Sequence, residues 1–538
     1  MWVFILGLCV VALLSVVGVA LWVNLRKNSL VLKASVLVAV FIPLSIVVLL
    51  PTDWVNHNRP QPLAGLDVGE TTYLWLWRSA YWVTFALTWL VLPMVLEFYR
   101  SGHYHPIARI KDAFRANLKF QLMMLGLGIL SAVYFMAEVG LTLGHFKSMV
   151  MGLTHIYSLV LTLWLMAHSL VSIPRQSWTT ASPVSRLNYL YQRVVPLVDK
   201  LDDTRTGFRD DILRVMMLAN NFANELEYRD WILSLERRIP DELRTQLERE
   251  YRSEEPHLLV PSVDENYMVS LTQKFNRHHD NLVAYQSEYT KLLLDITRLE
   301  DSLGHDPHSV VYRFATSNPK RTYYWTVYGR PNLMRVVAVV SAVLSVTILF
   351  SEMVHSTKVS PVNVVVTRLA GYAQWMMMIF VYCYMLVCAL SSLTSVKVFN
   401  VYHLVPHDSD PVSASWYAMY VARTSFPLAY NFLGLLVSRT SVFEQWYGAS
   451  LGLTGLFSAL NEWLPRLILV PILMSAFNVY HRVKKRVGFM EWFDDDSDAE
   501  ADENRSLESP RDTRHEHVIA EAKRLVEREM HRRTRTTA

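Results

Sequence analysis

The sequence predicts an all-α, polytopic membrane protein with about nine transmembrane helices, five before and four after a soluble helical insertion. Three observations predict it. Apolar runs of roughly twenty residues, the length that crosses about 30 Å of hydrocarbon as a helix, recur along the chain. Positive residues gather on alternate connections between those runs. A long polar stretch with heptad spacing separates the two sets.

Composition agrees. Of 538 residues 52% are hydrophobic, yet mean hydropathy is only +0.19, so very apolar segments are averaged with very polar ones. The net charge of +4 is too small to imply a nucleic-acid partner. Cys9, Cys383 and Cys388 all lie inside apolar runs, which argues against a disulfide framework or a structural zinc site. They read as small apolar side chains or lipid-facing palmitoylation candidates.

The first membrane half is expected over 1–176, with runs at 2–24, 30–50, 72–96, 120–143 and 149–172. Lipid offers no partner to an unpaired backbone group, so each run is read as a helix. The first lacks a basic leader and is followed by Arg26 and Lys27, which predicts an uncleaved helix with the N-terminus outside. Pro51–Thr72, with Asp53, Asp67 and Glu70, reads as an exposed outer loop. Trp75, Trp77, Tyr81 and Trp82 read as an interfacial belt at the outer end of the third helix. Arg100, Arg109, Lys111, Arg115 and Lys119 then mark a cytosolic connection. Helices four and five form a hairpin that brings the chain inside by Arg175.

Residues 177–328 read as a cytosolic helical, coiled-coil region. Leu187, Leu190, Val194, Leu197 and Leu201 alternate spacings of three and four. Beyond an acidic, proline-bearing break at Ser253–Pro261, Leu271, Phe275, His278, Leu282, Tyr285, Tyr289, Leu292, Ile296, Leu299 and Leu303 hold the same alternation over more than four heptads. His278 is the one polar member: either a pH-sensitive or register-setting residue, or a histidine capped by a neighbour. The amphipathic helices on both sides of the break favour an antiparallel hairpin within the chain; a homodimer stays open.

The second membrane half is expected over 329–482, with runs at 333–350, 364–393, 424–437 and 453–480. Thr424–Val437 is the shortest. If it did not cross, the basic cluster His481–Arg486 would face outward, so parity makes it a crossing and puts the C-terminus inside. Residues 483–538 read as a cytosolic, mostly disordered tail, with an acidic block from Asp494 to Glu503 and a helical, basic stretch at Ala520–Arg533.

Four segments carry a resemblance. They are Trp77-Arg78-Ser79-Ala80-Tyr81-Trp82 leading to Trp89 and Pro93, then Ser172-Ile173-Pro174-Arg175-Gln176-Ser177-Trp178. The third is Pro427-Leu428-Ala429-Tyr430-Asn431-Phe432-Leu433-Gly434-Leu435, and the fourth is Val487-Gly488-Phe489 through Phe493-Asp494-Asp495-Asp496. In this order they resemble the limb-region-1-like, or lipocalin-interacting membrane receptor (LIMR), family, and within it the limb-region domain-containing protein 2 branch. The resemblance covers nearly the whole chain. It implies nine helices split five plus four by a cytosolic coiled coil, the count reached above from the charges. For this branch it implies regulation of G-protein-coupled receptor signalling; lipocalin uptake and cobalamin export belong to other branches. It carries no catalytic residues.

No phosphate loop, dinucleotide fingerprint or zinc-type histidine pair appears, so the chain reads as a non-enzyme without a cofactor. The informative residues are ionisable groups inside the predicted helices, each costing about 2.5–3.5 kcal/mol at a bilayer centre. Arg78, Glu138, His155, Arg368, Glu462 and Arg466 all fall toward the outer ends of their helices, and Glu462 and Arg466, four apart, share one face. Together they predict an outward-open polar vestibule. One reading is a cavity for a small anionic or lipid-like ligand with Arg78 and Arg368 as anion contacts; the other is a set of ion pairs fixing helix rotation. Pro465 and Pro471 would break the last helix beside the charged pair. His168, Asn431 and Glu97 read as packing or interface groups. The expected partners are the bilayer and cytosolic or membrane signalling proteins. The plasma membrane is the first expected location and the endolysosomal membrane the second.

Overall fold

The computed structural model describes residues 1–221, 228–247, 263–305, 311–314, 318–395, 402–472 and 512–537, apart from isolated positions within them. The break at 253–261, the basic cluster 481–486 and the acidic block 494–503 lie outside the described residues, as does the predicted last helix beyond Ile472. Among the described residues every regular element is helical. The chain divides into two compact units. One comprises Met1–Pro93, Leu118–Arg186 and Tyr324–Leu507; the other comprises Met94–Asn117, Leu187–Tyr323 and Glu508–Ala538.

Among the described residues, seven helices are long and apolar enough to cross a membrane. In order the elements are α1 (Trp2–Trp22), α2 (Leu30–His57), α3 (Glu70–Ala86) running through a π turn at Leu87–Val91 into α4 (Leu92–Arg100), α5 (Pro106–Glu138) and α6 (Leu143–Thr179). After the polar region come α10 (Pro319–Tyr324), a π turn at Trp325–Gly329, α11 (Arg330–Val354), α12 (Pro361–Arg368), α13 (Tyr372–Ser395), α14 (Pro411–Gly434) and α15 (Gly455–Trp463). Many start on a side-chain cap: Ser29, Thr142, Ser360, Asp410 and Thr454 each accept from the backbone N–H three residues on. Pro361 and Pro411 occupy first-turn positions, where no N–H is needed.

Three expectations are corrected here. Helix α2 does not end at Leu50 but continues through Asp53 to His57, and Pro51 to Val55 are buried rather than looped out. The run 364–393 is two helices, broken at Leu369–Gly371, where Gly371 takes φ +67°. The short run at 424–437 is the end of a 24-residue helix, α14, that begins at Pro411 and is buried along most of its length among α2, α6 and α13. Arg423, just outside the expected run, is therefore mid-helix and only 8% exposed.

The π turn in the third span shows how a helix break is repaired without water. Pro93 offers no N–H to the Trp89 carbonyl, and Gln121 Nε2 donates to that oxygen instead at 2.8 Å. The neighbouring Thr88 carbonyl takes a bond from Arg423 Nη2 at 3.0 Å.

In the polar unit, α7 (Pro183–Asn221), α8 (Arg229–Glu236) and α9 (Glu265–Leu303) build one apolar core. Cross-contacts run in opposite senses along α7 and α9: Tyr191 donates to Glu300, Phe208 meets Phe275, and Asp211 meets His278 at 2.6 Å. Of the heptad positions, Leu271, Phe275, Leu282, Tyr285, Tyr289, Leu292, Ile296 and Leu299 are buried, His278 is half-buried, and Leu303 is 40% exposed. The helical stretch expected at Ala520–Arg533 is part of a longer helix, and its packing into the core was not expected. Residues Asp512–Thr537 form a helix, α16, whose Ala522 and Val526 are buried in the same core, with Lys523 over the Tyr191 ring at 5.6 Å.

Candidate functional site

Within the membrane unit the polar groups converge on the segment after α14. The segment Ser438–Ser441 leads into a π turn at Glu444–Gly448. Its start is held by the fully buried Asp53, which accepts from the backbone N–H of Val442 at 3.1 Å and of Phe443 at 3.0 Å, and from the Trp77 indole at 2.9 Å. A carboxylate accepting the first donors of a helical segment satisfies groups that lipid could not. Around it Trp77, Tyr81, Phe426, Phe443 and Tyr447 pack in edge-to-face, tilted and stacked pairs, with centroids 4.5–6.1 Å apart. Trp77 and Tyr81 are thus core residues. Of the predicted belt only Trp75 and Trp82 face outward.

Beside this anchor lies a cavity of about 190 Å³ lined by His355, Tyr430, Arg439, Ser458, Asn461 and Glu462. Arg439 Nη2 approaches His355 Nε2 at 3.1 Å. A guanidinium can only donate, so Nε2 accepts and the neutral ring carries its proton on Nδ1. That Nδ1 is buried without a partner, as is Asn461 Oδ1. One turn before His355, the fully buried Glu352 accepts from Asn431 Nδ2, and Glu352 Oε2 and Asn431 Oδ1 are left unpaired. Gly434 makes room for the His355 ring, since a Cβ there would sit 2.3 Å from Cε1. The concentration of unmatched buried polar atoms at one place is unusual for a settled core.

The sequence-predicted cluster is only partly gathered here. Glu462 lines the cavity and accepts from Arg466 at 3.2 Å. His155 is buried and hydrogen-bonded to Tyr447 at 3.0 Å, beside the aromatic anchor. Arg78 and Arg368 are exposed and, among the described residues, form no ion pair. The Glu138 side chain lies outside the described residues. Sequence reading missed Asp53, Glu352, His355, Arg423 and Arg439. The available signal was a carboxylate and a histidine three apart (Glu352, His355) at the end of an apolar run.

Residues 1–480 match the family described as LMBR1-like membrane protein. The chain belongs to that family. It is an integral membrane protein with several apolar helices. An "LMBR1 domain-containing protein 2 homolog" of Drosophila melanogaster is 22% identical over 99% of this chain and 84% of its own length. The human "G-protein coupled receptor-associated protein LMBRD2" is 24% identical over 78% of this chain and 66% of its own. A Dictyostelium discoideum "LMBR1 domain-containing protein 2 homolog B" is 23% identical over 89% of this chain and 66% of its own. This LMBR1-like chain thus spans about two thirds of the length of the human and Dictyostelium relatives. The relatives carry the domain-containing protein 2 name, the branch that the four sequence segments resemble. No solved structure matches it.

Proposed function

We propose that this chain is a non-enzymatic, receptor-like membrane scaffold that regulates G-protein-coupled receptor signalling or trafficking. The observation that carries the reading is that relatives matched along most of the chain are named as G-protein-coupled-receptor-associated. The polar unit is its natural partner surface. It has a core of its own, and the basic residues beside the membrane runs favour the cytosolic side for it. In this reading a five-helix half (1–176) and a four-helix half (329–482) flank the cytosolic helical, coiled-coil region (177–328), with the N-terminus outside and residues 483–538 inside. Nine crossings follow if α14 and the segment after Gly455 are added to the seven apolar helices; at about 1.5 Å per residue α14 is roughly 36 Å long. The plasma membrane is the proposed location. Proximity labelling from the polar unit in cells expressing a panel of such receptors tests this. Enrichment of receptors or their trafficking adaptors over an unrelated multi-pass protein is expected, and equal labelling of both would overturn it.

A second reading has its own support. The polar cavity, with buried atoms awaiting partners, favours a carrier or accessory transporter for a small ligand. Its anion contacts would be Arg439 and His355 rather than the outward-facing Arg78 and Arg368.

A further inference from the structure

One face of α5 is uncovered from end to end. Ile107, Ile110, Phe114 and Leu118 are exposed at spacings of three and four, and the apolar stripe continues at those spacings to Met136. At 1.5 Å per residue the stripe is about 43 Å long. That exceeds the roughly 30 Å of hydrocarbon and is close to the roughly 40–45 Å that includes the head groups. Tilt does not absorb the excess, because fitting it within the hydrocarbon takes a lean of about 45°, outside the usual range. The first turns of the stripe therefore stand at head-group depth. Cations lie at this same end. Lys111 and Arg115 are exposed and, four apart, share one flank of the stripe. Along the helix they stand about 37 and 31 Å from Met136, on either side of the phosphate level. Among the described residues neither is hydrogen-bonded or ion-paired. Asp112, the one acid between Pro106 and Leu118, accepts from the Ser101 hydroxyl at 2.8 Å. The helix is also fixed in rotation. Ala113 is buried, Asn117 Nδ2 donates to Met94 Sδ at 3.4 Å, and Arg109 Nε donates to the His103 carbonyl at 2.6 Å.

We propose that the start of α5 is a binding surface for anionic phospholipid, with Lys111 and Arg115 on the head group and Ile107, Ile110 and Phe114 seated in the interface beside them. The lysine stem lies along the apolar stripe while its ammonium reaches a phosphate, and the arginine fork matches two phosphate oxygens. Continuity decides for lipid over a protein partner: the stripe runs without a break into the part of α5 that hydrocarbon covers. The two unpaired cations then select anionic over zwitterionic head groups. That the leaflet is the inner one rests on the orientation proposed above; the contact itself does not.

The test reconstitutes the full chain in phosphatidylcholine bilayers carrying, in both leaflets, a photoactivatable phosphatidylserine or a phosphatidylcholine with the same reactive chain, and maps the labelled peptides. With the probe on both sides the result does not depend on orientation, which antibody access to the termini reads separately. Label on residues 106–118 should favour phosphatidylserine by about fivefold or more, and the preference should shrink as salt is raised. Lys111→Gln combined with Arg115→Gln should bring the two lipids to parity. Lys111→Arg with Arg115→Lys should keep the preference. Lys320→Gln with Arg321→Gln, an equal loss of charge at exposed positions on another helix, should leave it unchanged. Equal labelling by the two lipids in the wild-type protein would overturn the assignment, as would a preference that survives the double Gln variant. Label confined to residues beyond 118 would overturn it too, and would show that protein covers the start of the stripe.

Discussion

Asp53 on α2 and Trp77 on α3 are joined by a 2.9 Å hydrogen bond, and the same carboxylate takes two backbone N–H groups from a segment nearly four hundred residues later. One side chain thus pins the first membrane helices to the turn that walls the cavity. Replacing Asp53 by Ala strands three buried donors, at about 1–3 kcal/mol each. We expect a large fall in the melting temperature of the purified protein and a smaller one for Asp53→Asn, which keeps one acceptor oxygen. A melting temperature within error of wild type for Asp53→Ala would show that the turn is held some other way.

Gly434 faces the His355 ring at a distance no Cβ tolerates. Gly434→Ala should push the imidazole out of its bond with Arg439, costing about 1–3 kcal/mol through overpacking. The fall in melting temperature should be absent for Gly126→Ala, at a position with open space around it, and an equal fall in both would contradict the close approach.

In the polar unit, Gly102 lies against backbone: a Cβ there would stand 2.2 Å from the Val269 carbonyl oxygen of α9. A carbonyl inside a helix cannot swing aside as a side-chain tip can. Gly102→Ala should therefore loosen that unit, read as faster limited proteolysis within 187–303 and an unchanged fraction of membrane-inserted protein. Equal cleavage rates would contradict the close approach.

Phe275 is fully buried against Phe208. Truncation to Ala should cost about 3–5 kcal/mol in the local unfolding of the polar unit, measurable by hydrogen exchange along α7 and α9. If protection fell in α9 alone, the two helices would not share a core.

Topology has its own test. An epitope tag after Ala538 should be reached by antibody only in permeabilised cells, and a tag before Met1 in intact ones. Access to the first tag on intact cells would reverse the orientation argued from the basic connections.

Much of the fold was legible because the physics is local. An apolar run long enough to span needs no knowledge of its neighbours, and the 4,3 spacing around Phe275 marks a buried stripe wherever it packs. α14 was read short because Ser413, Ser415, Arg423 and Asn431 dilute its hydropathy, although the structure buries them among other helices rather than in lipid. Asp53 was misread because Pro51 and a carboxylate look like a loop, whereas α2 tolerates Pro51 within the helix and Trp77 answers the carboxylate. The break at Gly371 is two or three residues long inside apolar composition and leaves no compositional trace. The candidate site was the least readable part. His355, Arg439 and Asn461 meet only through the folding of three separate segments, and nothing in their own neighbourhoods announces it.

The burial of Ala522 and Val526 bears on how the molecule is made. The polar unit is assembled from stretches that leave the ribosome at widely separated times, and α16 is the latest of them. Until that helix arrives, the core shared with α7 and α9 exposes the surface it will cover, throughout insertion of the later membrane segments. Maturation of the polar unit is thereby tied to the synthesis of Asp512–Thr537, and a nascent chain arrested before Asp512 would offer chaperones a standing apolar target.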